Sequence, residues 1–284
     1  MTFSNVRKLA IGHGGPATPG LLSHIPLCFQ AFPNITELEL VPTNYSLRRE
    51  NSALLRLRTE NQEQQVRHGT WQDLTRLSGD VLGLFALGLL RTVSHLECVP
   101  RRSVPLKFMS TLRQVLSDAR PTSLSISLHG RKALDEEEGL VSVLRDPAIA
   151  TLRDLVVEIR LIAIEAIDPF PTVMEDVIRS LRSLPPHLQR LDLALDYHVI
   201  SRLDSADTFS RMQKYAPRDG WHARVEAYER ADLLAFASRI HAAVPPLTEV
   251  TVRLSDRCDE EAARRRLRSR ATGRLRFHNE VSFD

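Results

Sequence analysis

The chain has 284 residues, of which 43% are hydrophobic, 26% charged and only 6% aromatic. That composition excludes the disordered, collagenous and disulfide-dense classes and fits a globular protein with a large aliphatic core. The net charge of +3 comes from 38 basic against 35 acidic residues, so there is no global field for a nucleic acid or a membrane.

In chain order, Val6-Leu9-Ile11 spells the first L-x-x-L-x-L strand, and a glycine-rich turn, "IGHGGP" (11–16), leaves it. A helix follows over 18–32, with Thr18 as N-cap and Pro19 at its first position. Ile35-Leu38-Leu40 is the second strand. Residues 44–69 are polar and basic and read as a loop insert with room for one helix. Residues 70–90 offer a helix capped by Thr70, although "WQDLTRLSGD" (71–80) also fits a degenerate strand copy centred on Leu74. The longest apolar run, 81–90, is ten residues. That is half of the roughly 20 a membrane span needs.

Val93-Leu96-Cys98 is the next clear strand, followed by a helix over 103–119 from a Ser103 cap. Pro121-Leu124-Ile126 precedes a helix over 135–146, whose "DEEE" (135–138) sits where a helix dipole favours acids. Leu152-Leu155-Val157 leads to a helix over 172–184 that stops against Pro185-Pro186. Proline cannot continue a helix and holds the preceding residue extended, so it aims the chain at the strand Leu188-Leu191-Leu193. A second polar insert, 201–222, has no clean period. A helix over 224–244 then stops against Pro245-Pro246 ahead of Leu247-Val250-Val252. Last comes "DEEAARRRLRSR" (259–270), which reads as a capping helix with Glu260–Arg264 and Glu261–Arg265 at i, i+4.

The central residues 9, 38, 96, 124, 155, 191 and 250 recur at about 30 residues or twice that, the mark of a solenoid. Strand and helix periods alternate with short crossovers, which predicts parallel strands. The domain reading is an irregular repeat array over 1–256 and a capping helix with tail over 257–284.

These repeats resemble leucine-rich repeats, an α/β solenoid with parallel strands on the concave face and helices on the convex face. The Asn or Cys of that family three residues past the last Leu is absent here. Those slots hold Gly14, Thr43, Arg101, His129, Arg160, Asp196 and Ser255. More narrowly, "WQDLTRLSGDVLGLFALGL…VSHLEC" and "LPPHLQRLDLAL" resemble the leucine-rich-repeat portion of fungal F-box-type proteins, in which the F-box itself is a helical module not visible here. The resemblance implies a substrate-recognition role for a ubiquitin ligase.

With the leucines inward, the intervening positions form a face of their own. One column reads Lys8, Glu37, His95, Ser123, Asp154, Arg190 and Glu249. The next reads Ala10, Glu39, Glu97, Ser125, Val156, Asp192 and Thr251. Six acids stand against Lys8, Arg190 and His95, which predicts an acidic groove for a basic segment of a partner protein. The candidate contact residues are Glu37, Glu39, His95, Glu97, Ser125, Asp154, Val156, Arg190, Asp192, Glu249 and Thr251.

Other chemistries read weakly. His13-Gly14-Gly15 after a strand is similar to an esterase oxyanion turn, but no G-x-S-x-G nucleophile elbow accompanies it. His198 beside Tyr197 and Asp196 reads as a solvated turn. The histidines show no metal spacing. Catalysis, metal, cofactor, small-molecule substrate and membrane are therefore not expected. Arg264, Arg265 and Arg266 offer a nuclear-import or nucleic-acid patch as the alternative function. Cys28, Cys98 and Cys258 are scattered. The first two sit among apolar residues and read as buried reduced thiols, which together with the absence of a leader-like start predicts a cytoplasmic or nuclear protein.

Overall fold

A computed structural model describes residues 2–12, 25–41, 51–99, 108–129, 139–160, 170–196, 230–255 and 269–276. The strands are β1 (Lys8–Ile11), β2 (Glu37–Leu40), β3 (Arg76–Asp80), β4 (His95–Val99), β5 (Ser123–His129), β6 (Asp154–Arg160), β7 (Arg190–Asp196), β8 (Glu249–Ser255) and β9 (Ser269–Arg276). The helices are α1 (Ile25–Ala31), α2 (Asn51–His68), α3 (Val81–Leu87), α4 (Phe108–Ala119), α5 (Leu140–Leu144), α6 (Phe170–Leu181) and α7 (Leu233–Ala243). Strand order in the sheet is chain order. β1 to β8 are parallel and alternate with helices, and β9 is antiparallel to β8. The chain divides into two compact units, Met1–Ile126 with Asp146–Leu152, and Ser127–Arg145 with Arg153–Asp284.

Within the first unit the central leucines align as Leu9, Leu38, Leu77, Leu96 and Leu124. In the second they align as Leu155, Leu191 and Val250. The degenerate copy is therefore centred on Leu77, not Leu74. Leu74 fills the first slot of the same motif, and Gly79 stands where the last Leu belongs. A Cβ on Gly79 would lie 2.9 Å from Leu40 Cβ and 3.1 Å from Leu40 O, so this strand packs too closely for a side chain there. The helix read from Thr70 starts instead at Val81, directly off the strand. Asp80 caps it, accepting from the backbone N–H of Leu82 (3.1 Å) and Gly83 (3.2 Å).

The polar insert 44–69 contains an 18-residue helix, α2, rather than mainly loop. Its buried side is polar because it seats on the C-terminus of α3, whose last carbonyls have no partner inside their own helix. Asn61 Nδ2 donates to Ala86 O (2.8 Å). Gln65 Nε2 donates to Leu87 O (3.1 Å) and Gly88 O (3.0 Å), and its Oε1 accepts from Leu90 N (3.0 Å). Arg58 Nη1 donates to Phe85 O (3.0 Å), its guanidinium lies 4.8 Å from the centre of the Phe85 ring, and its Nη2 donates to Asp118 on α4 (2.8 Å). Positions 58, 61 and 65 share one helix face.

The missing Asn ladder has a replacement at the strand starts. The carbonyls of Arg7, Thr36, Ser94, Arg153 and Gln189, each one residue before a strand, accept two N–H groups of the next repeat, as Thr36 O does from Thr75 N (2.9 Å) and Arg76 N (3.0 Å). A hydroxyl adds a third donor. Thr36 donates to Arg7 O (3.2 Å), Thr75 to Thr36 O (3.2 Å), Thr122 to Ser94 O (3.0 Å) and Thr248 to Gln189 O (3.0 Å).

The Pro-Pro segments behave as read. Leu188 N donates to Pro185 O (3.1 Å) and Leu247 N to Val244 O (3.2 Å), one turn before each strand. Leu188, Leu191, Leu193 and Leu195 are all buried. α5 is shorter than the helix read over 135–146, and its acids at 135–138 lie outside the described residues. The reading of 259–270 as helix fails at its end, since Ser269 and Arg270 begin β9; residues 259–268 lie outside the described residues. α7, capped by Asp232 accepting from Ala235 N (2.9 Å), packs on β8 and β9. The register sets Ala271 opposite Leu254 and Gly273 opposite Val252. No helix among the described residues is long and apolar enough to cross a membrane.

Candidate interaction face

Within each unit the alternate strand positions that are not buried share one face, and the residues of the two columns read from sequence lie on it in register. Those columns omitted β3, which adds Arg76 between Glu37 and His95, and Ser78 between Glu39 and Glu97. The first unit therefore presents the row Ala10, Glu39, Ser78, Glu97 and Ser125, beside the row Lys8, Glu37, Arg76, His95 and Ser123.

Charges in this unit are unevenly answered. Lys8 Nζ lies 3.8 Å from Glu37 Oε2. Glu39 and Glu97 make no ion pair among the described residues. They stand two strands apart with Ser78 between, so their backbones are about 9.6 Å apart at the usual strand spacing.

The second unit is different. Arg190 grips Asp154 with both Nε and Nη2, the latter 2.7 Å from Oδ2. Its guanidinium holds its proton more tightly than usual, first through this hydrogen bond and then through the charge of Asp154, with burial opposing and the charge of Glu249 adding least. Arg253 grips Asp192 through Nε (3.0 Å) and Nη2 (2.8 Å), a two-point pair with fixed geometry. One row further along, Ser127 hydrogen-bonds Glu158, and Arg160 Nε lies 3.4 Å from the same carboxylate. Val156, Ala194 and Thr251 are the uncharged positions between these pairs.

Each residue of the predicted groove thus lies on the outward strand face of its own unit, but Asp154 and Asp192 are already matched by arginines there. Sequence reasoning missed Arg253, Glu158, Arg160 and Ser127. The signal was present: alternation continues past the second Leu in "LRDLVVEIR", "LQRLDLALD" and "LTEVTVRLS", which extends the strands to seven residues and adds a third and a fourth row.

The other candidates fall elsewhere. The His13-Gly14-Gly15 turn, Tyr197, His198, Cys258, Arg264, Arg265, Arg266 and the insert 201–222 lie outside the described residues. Asp196 is buried at the end of β7. Cys98 is buried as read and its thiol is pushed up to about 12, by burial first and then by Glu97 and Asp80. Cys28 is only half-buried, on a helix with one exposed side, and partial burial still raises its thiol. Among the described residues no cluster of three or more His, Cys, Asp or Glu could hold a metal ion. No family model, no curated protein and no solved structure matches the chain.

Proposed function

We propose that the chain is a non-enzymatic protein-interaction scaffold that receives a basic segment of a partner protein on the open strand face of its first unit. The observation that carries this is the contrast in charge pairing. Glu39 and Glu97 share one row without a cationic partner among the described residues, whereas Asp154 and Asp192 are gripped by Arg190 and Arg253. An added cation gains most from a carboxylate that no arginine has already neutralised. Delivering the bound protein to a ubiquitin ligase is the role the family resemblance attaches to such a face.

The test is a titration of fluorescent Lys/Arg-rich peptides followed by anisotropy. The double variant E39K/E97K should weaken binding by about tenfold or more, equivalent to about 1.4 kcal/mol, and the wild-type affinity should fall with added salt. D154N/D192N should change it little. Equal losses from both variants, or none from either, would refute the assignment.

A further inference from the structure

The sheet ends at β9 on one side and at β1 on the other. β9 lies antiparallel along β8, while β1 pairs with β2 on one side and with no described strand on the other. The open edge carries signs of a missing neighbour. The inward residues of β2 and β4 are buried, but Leu9 and Ile11 of β1 are only half-buried. Phe3 is 41% exposed and Leu27 on α1 is 62% exposed. Leu27 sits two residues, about 200°, around the helix from Phe29, whose ring meets Trp71 at 4.3 Å on the inner side. The first repeat thus shows apolar surface away from the stack.

Backbone groups point the same way. Arg7 O accepts from Thr36 N and Glu37 N, and Ile11 O accepts from Val41 N, so odd-numbered residues of β1 face β2. Alternation turns the N–H and C=O of Lys8 and Ala10 to the free edge, a template for another strand. We propose that this edge pairs antiparallel with β1 of a second copy of the chain across a two-fold axis at Ala10. That register is self-complementary. It sets Ala10 against Ala10, Leu9 against the second copy's Ile11 and Lys8 against the second copy's Gly12. Apolar side chains meet on the helix side of the sheet, and the two lysines, which would repel if directly opposed, stay apart. Four strand residues with Leu27 and Phe3 at the rim form a small interface, so association is weak and concentration-dependent.

Sedimentation velocity of the whole chain from about 1 to 200 µM tests this in the range such small interfaces occupy. Wild type should pass from monomer to dimer. Ala10→Pro removes an outward N–H without touching a β1–β2 bond and should stay monomeric throughout, with unchanged circular dichroism. Ala10→Lys, on an exposed side chain, opposes two cations across the axis and should weaken the dimer by at least about tenfold, even where the proline disturbs the strand. A wild type that is monomeric over the whole range overturns the proposal, whatever covers the edge instead. So does a dimer that Ala10→Lys leaves intact.

Discussion

Gly88→Ala tests whether the polar helix α2 is seated on α3 as described. Gly88 closes α3 in the left-handed conformation, at φ 58° and ψ 45°. An alanine there costs about 1 kcal/mol for backbone conformation alone. Its Cβ would also lie 2.9 Å from Gln62 Cγ, 3.1 Å from Arg58 Cγ and 3.2 Å from Arg58 O. The last is backbone and cannot swing away, so an overpacking cost of about 1–3 kcal/mol adds to the first. The sum is about 2–4 kcal/mol. Gly69 supplies the control: it too has positive φ, at 82°, but nothing lies within 4 Å of an added Cβ. Gly69→Ala should therefore cost only about 1 kcal/mol. Urea unfolding followed by circular dichroism compares the two midpoints at constant slope. A Gly88→Ala variant no less stable than Gly69→Ala would mean that α2 does not press on the end of α3.

Three further outcomes follow from the same packing. Gln65→Leu strips the Leu87 and Gly88 carbonyls and Leu90 N of their buried partner and should destabilise by about 2–3 kcal/mol, while Arg56→Ala, which only breaks an exposed pair with Glu60, should cost under about 0.5 kcal/mol in the same urea titration. Thr75→Val and Thr248→Val each remove one rung of the hydroxyl ladder and should each cost about 0.5–1 kcal/mol, read as shifts in thermal midpoint. Cys98 favours its neutral thiol when folded, so its contribution is intact below the ordinary thiol range and is lost as pH rises toward about 12; wild type should lose stability on that alkaline limb, and Cys98→Ala should lose less. Iodoacetamide at pH 8.5 should label Cys98 only after denaturation.

The parallel alternation was legible because Leu-x-x-Leu-x-Leu is a packing rule written in the chain: alternate residues of a strand share a face, and the helix stops at Pro185 and Pro245 fix where strands begin. Two elements escaped for opposite reasons. β3 was read three residues early because Gly79 takes the place of a leucine, and only the approach of Leu40 explains that glycine. α2 lacks an apolar stripe because what it covers is polar. Arg58, Asn61 and Gln65 answer carbonyls at the end of another helix, and a hydrophobic period cannot report a partner that wants hydrogen bonds. β9 is a third case. Arginine-rich composition reads as a helix when i, i+4 pairs are counted, yet Ser269–Arg276 forms a strand at the edge of the sheet.

Charge on a repeat face has to be read in two dimensions. Listing one column at a time finds Asp192 in the middle row and counts it as a free acid. Arg253 lies on the next strand and two residues further along, so the pair is diagonal and invisible to any single column. Arg190 and Asp154, by contrast, share a column and a register position, and their pairing could have been inferred from sequence. Once both pairs are drawn, the groove is no longer a uniform acidic band along the strands. Among the described residues its unpaired carboxylates contract to Glu39 and Glu97, and the third-row positions on β3 and β4 beside them are Asp80 and Val99, neither of them a cation. What stands in the third row therefore separates the two units. The second unit holds Arg253 in the third row, level with Glu158 and Ala194, and Arg160 one row further, whereas β3 and β4 of the first unit hold Asp80 and Val99 in the third row.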